Sequence, residues 1–160
     1  DDIIWDIGAG SGALSIEAAE RAWAGKVIAF EKDPECLSMI QTNREQFHVP
    51  NLELVSGIAP DSLPGHPLPQ RVFVGGNGGR LTEILAFLLE SLKRPWTLVM
   101  TFAILENLLT ALTFLRTHGF EAEVMQADLK YTATIQDGVR LVPQNPIFIL
   151  SLTLEEESSV

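Results

Sequence analysis

Short, nearly unbroken apolar runs alternate along this chain with longer stretches in which hydrophobic residues recur every three or four positions. The first spacing marks strands buried on both faces, and the second marks amphipathic helices. Strands are expected at about 2–7, at Lys26–Phe30, at about 52–56 and at Val72–Val74, then at Thr97–Thr101, Glu121–Ala127 and Ile147–Leu152. Helices are expected from Gly12 to about Trp23, from Asp33 onward, at about Arg80–Leu92 and at Leu105–His118. Local signals agree: Asp33 stands as an N-cap with Pro34 at the first helical position, and Gly119 closes the last helix. Gly57–Gln70, with Pro60, Pro64, Pro67 and Pro69, reads as loop.

Such alternation predicts an α/β fold with a mostly parallel sheet of seven strands. The segment Asp128–Gln144 is too short and too polar for the helical crossover that a parallel connection needs, so it is expected to be a loop. The last strand should then run antiparallel beside the sixth. Its first residues, after Asn145-Pro146, fall at the carboxyl edge of the sheet, where open α/β sheets bind ligands.

Composition narrows the function. A chain of 160 residues with 46% hydrophobic residues suits one globular domain, expected to span 1–160. No apolar run approaches the roughly 18 residues of a membrane span, and no signal peptide is expected. The lone Cys36 excludes an internal disulfide, fits a reducing cytoplasm and reads as a packing residue. A net charge of −10 is a poor match for nucleic acid, which is held by neutralising phosphates. Glu155-Glu156-Glu157 reads as a solvated terminus. His48, His66 and His118 lack metal-ligand spacing, so no metal is assigned, and His118 reads as a base at a helix C-terminus.

The chemistry begins at Asp6-Ile7-Gly8-Ala9-Gly10-Ser11-Gly12, directly after the first strand. Glycines there let the backbone turn sharply and approach a ligand, while the next helix offers its unpaired N–H groups. Gly8-x-Gly10-x-x-Ala13, with Glu31 about 20 residues on, loosely fits a dinucleotide fingerprint. Three features favour S-adenosylmethionine instead, with S-adenosylhomocysteine as product. Asp6 stands two residues before the first glycine, Gly12 tightens the turn for a ligand without pyrophosphate, and the last strand is antiparallel. This is the Rossmann-like plan of class I methyltransferases. Asp6 would hold the methionine end, directly or through water, with Gly8, Ala9 and Gly10 passing close to the cofactor. Glu31 would accept both ribose hydroxyls, with Lys32 beside it, and Gly57-Ile58-Ala59 would flank the adenine.

After the fourth strand the chain reads Gly75-Gly76-Asn77-Gly78-Gly79-Arg80. That run cannot be the Asn/Asp-Pro-Pro-aromatic motif of nucleic-acid amine methylation. Its bare N–H groups suit carboxylates or a large flat ligand. Together with Thr101-Phe102-Ala103-Ile104-Leu105-Glu106 and Asn145-Pro146, these motifs make the chain resemble the decarboxylating precorrin-6Y methyltransferases of cobalamin biosynthesis, in their carbon-15 methylating domain, over essentially its whole length.

The resemblance implies methylation of a precorrin ring carbon with loss of carbon dioxide from the ring C acetate. It implies a homo-oligomer, commonly a tetramer, with the loop 128–144 pairing with a neighbouring subunit. In many members this domain follows a fused N-terminal methyltransferase. A chain that begins on its own cofactor loop is accordingly expected to be the C-terminal part of a longer one, lacking a helical segment that covers the cofactor. The family usually has Ser where Asn77 stands and often Arg near Tyr131, so both positions mark altered substrate contacts.

No protein nucleophile is needed or evident; positioning in a dry pocket carries the reaction. Bases must offset the repulsion between an acidic protein and a polyanionic substrate. Arg80 is the first candidate, followed by Lys130 and Arg140. Asn77, Thr101 and Glu106 complete the candidate catalytic set, although Glu106 also suits a first helical turn for its charge alone. Asn145 and the glycines 75, 76, 78 and 79 are candidate ligand contacts, Gly75 on the cofactor side. The alternatives are a class I methyltransferase for another small molecule or a protein, and a cofactor-binding module without activity.

Overall fold

The computed structural model describes residues 1–93 and 95–155; Glu156 and Glu157 of the acidic tail lie outside them. Its strands are β1 (Ile3–Ile7), β2 (Lys26–Glu31), β3 (Leu52–Ser56), β4 (Arg71–Val74), β5 (Trp96–Phe102), β6 (Glu123–Ala127), β7 (Lys130–Ile135), β8 (Gly138–Pro143) and β9 (Ile147–Leu154). The helices are α1 (Ala13–Arg21), α2 (Pro34–Gln46), α3 (Leu81–Ser91) and α4 (Leu105–Thr117). Among the described residues seven strands form one sheet in the order β3-β2-β1-β4-β5-β9-β6. Neighbours from β3 through β5 pair parallel, and β9 lies antiparallel between β5 and β6. This is the class I methyltransferase plan expected from the sequence.

The alternation along β2 shows why both faces must be covered. Ile28 and Phe30 join Trp5, Ile7 and the α3 residues Ile84, Leu85 and Leu88 in one apolar cluster. Val27 and Ala29 turn to the other face, against Ile16 and Ala19 of α1 and Ile40 of α2. Trp5 is fully buried, meets Phe30 edge-on at 5.2 Å, and donates its indole N–H to the Pro67 carbonyl at 3.1 Å. That bond ties the proline-rich loop to the sheet. Asp33 caps α2 by accepting from the Glu35 N–H at 2.8 Å, and Gly119 takes φ 82° beyond α4, as expected.

One expectation fails. Residues 128–144 are not a loop but carry the hairpin β7–β8, joined by the two-residue turn Gln136-Asp137 with Gln136 at φ 48°. Its apolar members, among them Tyr131, Ile135, Val139 and Leu141, are exposed. Tyr131, Ala133 and Ile135 alternate with Lys130, Thr132 and Thr134, which is a strand signal; the expectation of a loop rests on the segment being too short and too polar for a helical crossover.

Candidate functional site

The two glycine runs meet. The Ile7 carbonyl accepts from the Gly75 N–H at 3.0 Å and the Gly76 N–H at 3.3 Å. The Phe30 carbonyl likewise accepts from Gly8 at 2.9 Å and Ala9 at 3.2 Å. The carboxyl ends of β1, β2 and β4 are thereby laced together by backbone alone. A Cβ on Gly8, whose φ is 71°, would lie 2.3 Å from the Gly76 oxygen, so glycine is required there by contact as well as by conformation. Gly10 also has positive φ, yet a Cβ there would meet nothing within 4 Å. Gly12 serves packing: its φ is 79°, and a Cβ would lie 2.7 Å from Ile40 Cγ1, between α1 and α2.

Beneath the first loop, Asp6 is almost completely buried. One carboxylate oxygen accepts from the Ser15 hydroxyl; the other, Oδ1, has no partner among the described residues. Burial raises its pKa to about 6, against the lowering effect of Ser15 and with a smaller raising effect from Glu31. An orphaned buried oxygen beside a glycine cradle is a place for a donor group.

Glu31 ends β2. Its Oε2 accepts from the Gly10 N–H at 2.8 Å, and Oε1 accepts from Lys32 at 2.8 Å and Asp33 at 3.0 Å. An ionised carboxylate has about four acceptor positions, so three backbone bonds leave one, on Oε2. A pair of hydroxyls would therefore have to displace a backbone donor. Between Glu31 and the second glycine run lies a cleft of ≈ 120 Å³, floored by Ile7, Gly8 and Phe30. Lys32, the segment Gly57-Ile58-Ala59, and Gly76, Asn77 and Gly78 form its walls. Asn77 shapes its own turn, its Oδ1 accepting from the Gly79 N–H at 2.8 Å. Gly79 itself is exposed and lies off the cleft wall.

Arg80 stands at the head of α3, where the sequence puts it, but its charge is already engaged. Its guanidinium donates to Asp61 at 2.7 and 3.1 Å and also binds Glu83. Donating to Asp61 and then to Glu83 raises its pKa above the ordinary arginine value, while Arg80 lowers that of Asp61. A cation already met by two carboxylates is a poor receptor for a third. Thr101 is half-buried in β5, and Glu106 is exposed in the first turn of α4; neither borders the cleft. Asn145 is exposed ahead of β9, and Lys130 and Arg140 stand on the hairpin. His118 donates its Nδ1–H to the Phe114 carbonyl, 2.7 Å away, at the C-terminus of α4. Among the described residues no group of three His, Cys, Asp or Glu side chains is placed to hold a metal ion. No helix among them is long and apolar enough to cross a membrane.

A family model described as the precorrin methyltransferase domain matches residues 1–154. The chain belongs to that family. It is 35% identical over 152 residues to the cobalt-precorrin-6B C(15)-methyltransferase (decarboxylating) of Salmonella typhimurium, covering 94% of this chain and 78% of that one. The precorrin-6Y C5,15-methyltransferase structure from Geobacter metallireducens superposes with a TM-score of 0.90 at 35% identity, over 96% of this chain and 82% of that one. A precorrin-8W decarboxylase structure from Methanobacterium thermoautotrophicum gives 0.87 at 28%, over 96% and 82%.

Within this family site, sequence reasoning missed Ser15, Asp61 and Ser62. Ser15 sits in the first turn of the helix after the glycine loop, a position from which a hydroxyl can reach back to the preceding strand. Asp61 had no signal, since its partner lies 19 residues away. Ser62 packs against Gly57, and its buried hydroxyl also has no partner among the described residues.

Proposed function

We propose that this chain transfers the methyl group of S-adenosylmethionine to a ring carbon of a precorrin and releases the ring C acetate carboxyl as carbon dioxide, in cobalamin biosynthesis. The observation that carries this reading is the junction of Gly8 with Gly76, where two glycine loops press backbone against backbone at the edge of a family-matched sheet.

The residues fit the donor. Oδ1 of Asp6 is the acceptor for the methionine ammonium, which would satisfy the buried oxygen and favour its charged form. Oε2 of Glu31 takes a ribose hydroxyl at its remaining position, and the second hydroxyl competes with the Gly10 N–H. Gly57-Ile58-Ala59 packs the adenine with backbone and apolar contact. A cavity of ≈ 120 Å³ is smaller than the roughly 300 Å³ lower bound of small-molecule sites, so it suits the adenosine end, with the remainder lying over the open Gly10.

Bound S-adenosylmethionine supplies an electrophilic methyl. The protein needs no nucleophile, because an electron-rich ring carbon attacks directly, and orientation lowers the barrier. With the N–H groups of Gly75, Gly76 and Gly79 engaged within the protein, those of Asn77 and Gly78 hold the tetrapyrrole, with the Asn77 side chain, Thr101, Glu106 and Asn145 at the rim of its path. The acetate carbon–carboxyl bond breaks with its electron pair drawn into the ring system, and a proton replaces the departing carbon dioxide. We also assign the exposed hairpin β7–β8 to contact with a second copy of the chain, giving a homo-oligomer.

The test is incubation with precorrin-6Y and methyl-labelled donor, following label in the tetrapyrrole and carbon dioxide in the headspace. Both are expected. Neither appearing, or tight NAD binding without a calorimetric response to S-adenosylmethionine, defeats the reading.

A further inference from the structure

With Arg80 engaged by Asp61 and Glu83, the substrate's carboxylates need another cation at the cleft. Lys32 is the one basic residue among those that line it. Its ammonium extends from the end of β2 across the mouth of the cleft, 4.0 Å from where a Cβ on Gly78 would stand. It therefore bridges from the strand that carries Glu31 to the glycine run assigned to the tetrapyrrole. Among the described residues no carboxylate lies within ion-pair distance of Lys32. By contrast Arg21, Lys26 and Arg71 are paired with Glu17, Glu53 and Asp2.

We propose that Lys32 sets substrate specificity by pairing with a peripheral carboxylate of the tetrapyrrole, an inference that rests on the function proposed above. The sequence-based expectation placed Lys32 with the cofactor. Charge argues otherwise. Around Lys32 the cleft accommodates the adenosine end of the donor, which carries no anion, and the adjoining sulfonium is positive. An ammonium there finds no opposite charge on the adenosine end, whereas an anionic ring system laid over it supplies one. In a protein of net charge −10, a single unmatched cation at the cleft mouth also defines where a polyanion docks. Gly78 permits this reach: its φ of 56° turns the second loop without placing a side chain in the path of the ammonium.

The experiment compares Lys32→Ala and Lys32→Arg with the unaltered chain, using the precorrin substrate and S-adenosylmethionine. Lys32→Ala is expected to raise the tetrapyrrole KM about tenfold, the scale of one charge-assisted contact. The kcat and the calorimetric Kd for the donor should stay within about twofold, and Lys32→Arg should restore most of the KM because it keeps the charge. An unchanged tetrapyrrole KM in Lys32→Ala overturns the assignment, as does a donor Kd weakened by the same factor, which returns Lys32 to the cofactor. If the unaltered chain neither methylates nor decarboxylates precorrin, the function itself falls, and this inference with it.

Discussion

A carboxylate buried with one unpaired oxygen has a measurable signature. Asp6 keeps its proton in the folded chain up to about pH 6, whereas in the unfolded chain it releases it near 3.8. Between those values the unfolded state binds fewer protons than the folded state, so stability falls as pH rises and levels off above about 6. Two pKa units correspond to about 3 kcal/mol. Urea unfolding of Asp6→Asn against the unaltered chain should therefore show the variant gaining most of that, relative to its parent, from pH 4 to pH 7. Saturating donor should shrink the gain, since an ammonium on Oδ1 favours the ionised form. Parallel stability curves would remove the buried charge from the account. At this scale the sequence was informative about identity and less so about state. Asp6 and Glu31 were legible from their spacing to the glycines. That Ser15 holds one oxygen and leaves the other bare depends on how α1 lies over β1, and that Asp61 engages Arg80 depends on where a proline-rich loop returns.

At the scale of elements, the strands of the sheet were legible because β1, β2 and β5 read as apolar runs, and the helices because α1, α3 and α4 carry an apolar stripe and α2 opens on Asp33-Pro34. The hairpin was missed despite its Asp137-Gly138 turn signal and the alternation along β7, because a segment too short and too polar for a helical crossover reads as loop when a crossover is the only structure sought in it. The glycine loops can be separated by substitution. Gly8→Ala places a methyl against backbone that cannot swing aside, and adds the cost of left-handed conformation to an L-residue. Together these should cost about 3 kcal/mol of stability. Gly10→Ala meets only open space and should cost about 1 kcal/mol, from conformation alone. Yet that open space is where the donor is assigned, so Gly10→Ala should weaken donor binding out of proportion to its small loss of stability. Thermal unfolding paired with donor titration reads both. Equal stability losses would mean the two loops do not bear on each other as their contact implies.

At the scale of the whole molecule, the hairpin has no home. It forms a separate two-stranded sheet, and its main contacts run between its own strands. An isolated hairpin is marginal in water, and this one also exposes Tyr131 and Ile135 on one face and Val139 and Leu141 on the other. Apolar surface on both faces asks for cover on both, which one flat contact does not supply. A second copy of the same chain provides a matching ribbon, self-complementary under two-fold symmetry, with unpaired edges available for strand addition. The chain should therefore sediment as an oligomer. Val139→Glu with Leu141→Glu should shift it to the monomer, because a carboxylate at the centre of an apolar contact is left without a partner. Donor binding should survive, since the sheet that builds the cleft does not include β7 or β8. A monomeric parent, or a double variant that assembles unchanged, would leave the hairpin's exposed residues without this explanation. An assembled parent with a monomeric, donor-competent variant would place the hairpin in assembly and the glycine loops in chemistry, two tasks carried by opposite kinds of surface.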